Sequence, residues 1–71
     1  MINRANPFYY LNMLVIDDEP IFLEKFNEVV TGFGHHMVGT GDTIDAIDRV
    51  NKSYELRNPF DVVFVDFLMR T

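Results

Sequence analysis

The stretch Met13-Leu14-Val15-Ile16-Asp17-Asp18-Glu19-Pro20 carries most of the fold information in this chain. Four apolar residues end at three acidic ones, which is the pattern of a strand buried on both faces, as in a parallel sheet. The proline fits the first turn of a helix, where a missing N–H has no partner to lose. The acidic residues place negative charge at the positive end of that helix. The stretch therefore predicts a strand, a tight acidic turn and a helix.

A helical pattern follows Pro20. Its apolar members recur at the spacing of one helix face, and Gly32 and Gly34 supply a stop signal. We therefore predict a first helix that ends at these glycines, with an inward stripe of Phe22, Phe26, Val29, Val30 and Phe33. An aromatic stripe at this spacing is typical of a hydrophobic core rather than of a cofactor site.

A second strand and helix and a third strand complete the pattern. Residues 36–38 (HMV) predict a weak strand, and the apolar spacing beyond Asp42 predicts a helix over 43–54. Asp42 is a good N-cap, and Asp45 three residues later gives a weak variant of the capping box. The run 61–65 (DVVFV) is β-branched and aromatic, and it ends, like the first strand, in an aspartate.

The aspartates that end the first and third strands are the candidate site. A βαβαβ order implies right-handed crossovers and a parallel sheet, in which ligands bind beyond the carboxyl ends of the strands. Asp17, Asp18 and Asp66 lie at such ends. Converging carboxylates need a cation, and their hard oxygens suit Mg²⁺. A carboxylate can also attack a phosphoryl group. Because Asp66 stands alone at its strand end whereas Asp17 and Asp18 are a pair, we predict that the pair holds the metal and that Asp66 is the nucleophile.

Composition narrows the class of protein. The chain has 71 residues, enough for one domain, and 48% of them are hydrophobic, which excludes a disordered segment. Eleven acidic residues against six basic ones give a net charge of −5, which argues against nucleic acid or an anionic membrane as a partner. No apolar run approaches the ~20 residues of a membrane span, and no signal peptide is evident. The absence of cysteine fits a reducing compartment.

Two motifs in this order resemble the receiver domain of two-component response regulators. They are 13–20 (MLVIDDEP) and 61–69 (DVVFVDFLM), and 41–47 (GDTIDAI) is similar to the start of that family's second helix. The resemblance covers residues 12–71 and leaves 1–11 as a leader. It implies a truncated flavodoxin-like, three-layer α/β sandwich with parallel strand order 2-1-3.

The resemblance also implies roles for single residues. Asp66 would accept the phosphoryl group and contact the metal, and Asp18 would be a direct ligand of Mg²⁺ or Mn²⁺. Asp17 would act mainly through a water molecule, and the backbone carbonyl of Leu68 would complete the protein ligands. The phosphodonor would be a histidine kinase or a histidine phosphotransfer protein. The module would be a cytoplasmic phosphoacceptor and not an enzyme.

The chain departs from the family pattern in two ways. Arg70 stands where the family usually has proline after the methionine, and the sequence ends after the third strand. The Ser/Thr of the fourth strand and the Lys of the fifth are therefore missing, and we expect impaired phosphorylation. The third strand becomes an edge with apolar residues on both faces, which is a pairing hazard. We therefore expect self-association, domain swapping or completion by another chain.

Two other functions compete with this interpretation. The chain is alternatively a non-phosphorylated, self-associating interaction fragment. A phosphatase of the aspartyl-phosphate type is less favoured, because Asp17-Asp18-Glu19 lacks the alternating D-x-D pattern. His35 and His36 could form a metal pair, but adjacent strand residues face opposite ways, so we expect surface or loop-end histidines instead. The pair of glycines at 39 and 41 lacks the third glycine and the lysine of a phosphate loop.

Overall fold

A computed structural model describes residues 10–66 of the chain. Its elements are β1 (Asn12–Ile16), α1 (Pro20–Gly32), β2 (His36–Thr40), α2 (Thr43–Glu55) and β3 (Val62–Val65). The strands form one parallel sheet in the order β2-β1-β3. The predicted βαβαβ order, parallel sheet and 2-1-3 strand order are confirmed. Predictions that concern residues 1–9 and 67–71 lie outside the described part.

β1 is central because both of its edges and both of its faces are covered. All five of its residues are buried. Leu14 pairs with Val38 on β2 and with Val63 on β3, so β1 is bonded on both sides. This is the environment that a continuous apolar run predicts. β2 is longer than the predicted 36–38, since pairing with β1 continues as far as Thr40.

The two helices cover opposite faces of the sheet. Leu14 and Ile16 form a core with Ala46 of α2, and Val50 packs against it. The other face belongs to α1: a Cβ at Gly39 would lie 3.1 Å from the Leu23 side chain. Side chains of neighbouring strand residues point to opposite faces, so the layers are helix, sheet and helix.

α1 is rotated relative to the predicted stripe. Val30 is buried and Leu23 and Phe26 are half-buried, whereas Phe33 is 78% exposed. The inward positions are therefore 23, 26 and 30, whereas Phe22 and Val29, which the sequence placed in the inward stripe, are 44% and 54% exposed. Prediction of Phe33 as a core residue was wrong, because the helix ends at Gly32 and the chain turns away there.

Both helices end in the same hydrogen-bonded turn. At the end of α1, Gly34 N–H donates to the Thr31 carbonyl at 3.0 Å and His35 N–H donates to the Val30 carbonyl at 3.0 Å. This pair of bonds is the Schellman motif, which needs a left-handed residue, and Gly34 has φ 90°. The stop signal predicted from the glycines is confirmed.

The turn after α2 uses a residue other than glycine. Arg57 N–H donates to the Tyr54 carbonyl and Asn58 N–H donates to the Ser53 carbonyl. Arg57 takes the left-handed conformation with φ 59°. A residue with a Cβ is strained in this conformation, because its Cβ comes too close to the following carbonyl oxygen.

α2 begins as predicted, with one change. Asp42 is the N-cap, and its carboxylate accepts the Ile44 N–H at 2.9 Å. In a capping box, the N–H of the N-cap residue donates to the side chain three residues later. Here the Asp42 N–H donates to the Thr40 hydroxyl at 3.2 Å instead. Asp45 instead accepts from the Arg49 guanidinium at 2.8 Å, and this bond lowers the pKa of Asp45 from its ordinary value.

The amino end of β1 is tied to the loop before β3. The Asn12 N–H donates to the Asp61 carboxylate, and the Asp61 N–H donates to the Asn12 carbonyl, both at 2.7 Å. The Asn12 side-chain amide donates to the carbonyls of Asn58 and Pro59 at 3.3 Å. These bonds satisfy the backbone groups and the side-chain nitrogen of Asn12, whereas its side-chain oxygen is buried without a hydrogen-bond partner among the described residues.

β3 is the least covered strand. Within residues 10–66 it pairs with β1 alone, and its outer edge is open. Val63 and Phe64 are each 46% exposed and Val65 is 57% exposed. They lie on both faces of the sheet, as the alternation of a strand requires.

Candidate metal centre

Backbone hydrogen bonds bring the ends of β1 and β3 together. The Asp17 N–H donates to the Thr40 carbonyl and the Asp66 N–H donates to the Ile16 carbonyl, both at 3.0 Å. Each bond continues the pairing of the sheet one residue past the strand ends. Asp17 and Asp66 are therefore held at the carboxyl edge by the sheet itself.

Three carboxylates converge at this edge. Asp17, Asp18 and Asp66 each offer an oxygen, and these oxygens all lie within 4.8 Å of one another. All three residues are half-buried. The convergence that the strand-end positions predict is confirmed.

The turn between β1 and α1 is shaped by one of these carboxylates. Asp17 Oδ1 accepts the N–H of Glu19 at 2.9 Å. Glu19 is the N-cap residue of α1, and its own side chain makes no capping bond. Because the Asp17 carboxylate is anchored in this way, its direction is set by the backbone of the turn that follows β1.

Gly41 allows a second turn to approach the site. A Cβ at this position would lie 3.3 Å from the Asp17 carbonyl oxygen and 3.4 Å from the Asp18 Cα. These atoms belong to the backbone, which yields less readily than a side chain does. The glycines at 39 and 41 do not match a phosphate loop in sequence. In the structure, the lack of a side chain at Gly41 allows the β2–α2 turn to pack against the acidic turn.

The electrostatics of the cluster favour a bound cation. The carboxylate oxygens lie within 4.8 Å of one another, and like charges at such separations repel until solvent, salt or a bound cation screens them. Carboxylate oxygens are hard donors, and their partial exposure leaves room for the waters that Mg²⁺ keeps. The residues at this edge therefore fit a hard divalent cation such as Mg²⁺ or Mn²⁺.

The described residues contain some of the predicted ligands and not others. Asp17, Asp18 and Asp66 are brought together, whereas Leu68, whose carbonyl is a further predicted ligand, lies outside the described residues. His35 and His36 lie at the other end of the sheet, at the start of β2. They are thus separated from the acidic cluster by the length of β1.

A groove that the sequence did not reveal adjoins the acidic cluster. It encloses about 230 Å³ and is lined by Asp17 and Asp66 at its polar end and by Val15, Phe22, Phe26 and Phe64 along its apolar walls. The Phe22 and Phe26 rings stack with centroids 5.5 Å apart. Phe26 meets Phe64 edge to face at 5.8 Å, so a residue of β3 completes the groove. The helical spacing of Phe22 and Phe26 was visible in the sequence; the contact with Phe64 was not.

Comparison with models of protein families, with curated proteins and with solved structures finds no match to this chain. Neither helix of residues 10–66 has the length and apolar character needed to cross a bilayer.

Proposed function

We propose that this chain is a receiver-type signalling module in which Asp66 accepts a phosphoryl group. The donor is a phosphohistidine of a histidine kinase or histidine phosphotransfer protein in the cytoplasm. The observation that carries the proposal is the convergence of Asp17, Asp18 and Asp66 at the carboxyl end of neighbouring strands, with their oxygens within 4.8 Å. The order of the two strand-end motifs supports the same assignment.

The transfer is a displacement at phosphorus. An Asp66 carboxylate oxygen forms a bond to phosphorus while the bond from phosphorus to the donor imidazole nitrogen breaks. The electrons of the broken bond stay with the imidazole, which takes up a proton. The backbone bond from Asp66 N–H to the Ile16 carbonyl holds the nucleophile at the strand end. Such positioning supplies much of the rate enhancement in phosphoryl transfer.

Asp18, Asp17 and Asp66 would hold Mg²⁺ or Mn²⁺ in this module. When bound, the cation neutralises the negative charge that gathers on the phosphoryl oxygens. The anchoring of Asp17 by the Glu19 N–H keeps one carboxylate of the set in place. The module is a phosphoacceptor rather than an enzyme, so steady turnover of a phosphomonoester would contradict the proposal.

Incubation with Mg²⁺ and a small acyl phosphate, followed by intact mass measurement, tests this function. We expect the chain to gain one phosphoryl group and Asp66→Asn to gain none. Removal of Mg²⁺ with a chelator should abolish the gain. Phosphorylation that persists in Asp66→Asn would place the acceptor elsewhere and overturn the assignment.

Asp48→Asn is the matched control. Asp48 is an exposed aspartate of α2 that pairs with Lys52 at 3.7 Å and is not part of the acidic cluster. This variant changes the net charge by the same amount as Asp66→Asn, and we expect it to be phosphorylated like the parent chain. Loss of phosphorylation in both variants would indicate a nonspecific charge effect.

A second candidate function is a non-phosphorylated interaction module. The open edge of β3 favours it, since Val63, Phe64 and Val65 are about half exposed in the described part of the chain. An edge of this kind pairs readily with another strand. A chain that binds no Mg²⁺ and takes no phosphoryl group, yet self-associates, would support this function over the first.

A further inference from the structure

His35 links the start of β2 to the residue that precedes β1. Its Nδ1 accepts the N–H of Leu11 at 3.0 Å, and the bond is partly buried. The Leu11 carbonyl accepts the N–H of His36 at 2.9 Å. Leu11 is therefore held by one side-chain bond and one backbone bond, both from the start of β2.

The bond to His35 depends on the protonation state of the imidazole. A neutral imidazole has one acceptor nitrogen and one donor nitrogen, whereas an imidazolium has two donors. Since Nδ1 accepts here, the neutral ring carries its proton on Nε2. Protonation of Nδ1 would point one N–H at another, and the bond would be lost.

We propose that His35 is a pH-sensitive latch at the amino end of the sheet. In its neutral form it fastens the chain just before β1 to the start of β2. In its protonated form it releases Leu11, which keeps only the backbone bond to His36. This device is independent of the acidic cluster, which lies at the opposite end of β1, and it does not rest on the proposed phosphoryl transfer.

The His35 imidazole is half-buried and borders an open cavity. It lines a cavity of about 410 Å³ together with Tyr10, Asn12, Gly34, His36 and Asn58. The titratable groups among these lining residues are Tyr10 and His36, and among the described residues no carboxylate lines the cavity. Asp61 is the nearby acid of the β3 loop, and its carboxylate accepts the N–H of Asn12. The turn at Gly34, which ends α1, fixes the backbone of His35 through a hydrogen bond from the His35 N–H to the Val30 carbonyl.

Amide hydrogen exchange tests the latch. When the pH is lowered from about 7.5 to about 5.0, the protection factor of the Leu11 amide should fall about fivefold, the loss expected for one neutral hydrogen bond. The Asn12 amide donates to Asp61 and serves as an internal control whose protection stays constant. A Leu11 protection factor that does not change over this range would overturn the proposal.

Two variants assign the effect to one ring. His35→Asn places an amide oxygen that does not titrate near the position of Nδ1, and we expect the pH response of Leu11 to vanish. His36→Gln removes the neighbouring imidazole, and the response should persist. The opposite pattern would assign the response to His36. In the parent chain, ¹⁵N shifts of the His35 ring at neutral pH should report an unprotonated Nδ1; a protonated Nδ1 would contradict the latch without any variant.

Discussion

Gly41 shows how one hydrogen atom in place of a side chain sets the shape of the acidic site. A Cβ at this position would lie 3.3 Å from the Asp17 carbonyl oxygen and 3.4 Å from the Asp18 Cα, which is a tight approach to backbone atoms. The turn after β2 therefore packs directly against the turn that carries Asp17 and Asp18. The three carboxylates lie in the turn after β1 and at the end of β3, and the turn after β2 packs against them.

We expect Gly41→Ala to weaken Mg²⁺ binding. The added methyl group must displace backbone atoms of the acidic turn by a few tenths of an ångström. A strain of about 1 kcal/mol at a tightly packed position corresponds to a loss of affinity of about fivefold. Titration with Mg²⁺, followed through the amide signals of the acidic turn, measures the change.

Gly32→Ala is the matched control for this substitution. No atom lies within 4 Å of a Cβ at Gly32, which ends α1. We expect unchanged Mg²⁺ affinity and a free energy of unfolding that is higher by about 0.5–1 kcal/mol, since alanine is the better helix former. Equal loss of affinity in both variants would contradict the role assigned to Gly41.

Both helices end in a Schellman motif, but different residue types occupy its left-handed position. Gly34 and Arg57 both occupy the left-handed position of a Schellman motif. Glycine meets this demand without steric cost, whereas arginine is strained by its Cβ. The second turn thus retains strain that the first lacks.

We expect Arg57→Gly to stabilise the protein. Relief of the left-handed strain should raise the free energy of unfolding by about 0.5–1 kcal/mol, less a few tenths for the lost positive charge at the end of the helix. Gly34→Ala should lower it by about 1 kcal/mol for the same reason. Urea denaturation of both variants measures the two effects. A destabilised Arg57→Gly would mean that the arginine side chain makes a contribution larger than the strain.

The sheet as a whole is unevenly covered. β1 is enclosed by two strands and two helices, whereas β3 has one strand neighbour and half-exposed apolar residues on both faces within the described part of the chain. The predicted self-association through this edge stays a prediction. Its physical basis is the open row of backbone groups beside an apolar surface.

We expect Val63→Lys to reduce self-association. A lysine on an edge strand opposes pairing with a second strand because its charge would have to be buried. Sedimentation at several protein concentrations should show a concentration-dependent mass for the parent chain and a smaller dependence for the variant. Ile44→Lys adds the same charge at a position of α2 that is 78% exposed, and it should leave the association unchanged. A parent chain that sediments as a monomer at every concentration would refute the prediction.

The order of elements and the location of the acidic cluster follow from local signals. Two apolar runs, one that ends in Asp17 and one that ends in Asp66, place both aspartates at the ends of strands. Because parallel strands present their carboxyl ends at one edge of the sheet, both aspartates lie at the same edge. The N-cap at Asp42 and the stop at Gly34 are also local, since each depends on a side chain or a backbone angle within one turn.

Other features depend on contacts between distant segments, and the sequence alone did not predict them. The rotation of α1 that buries Val30 is set by its packing against β2 and β3. The contact of Gly41 with the acidic turn, the groove completed by Phe64, and the bond from Leu11 to His35 each join residues far apart in the chain. Periodicity reports which residues are apolar and how they repeat, but a neighbour's surface determines which of them are covered. Local sequence signals thus place the carboxylates of the acidic cluster, whereas tertiary contacts decide the shape of the surface around them.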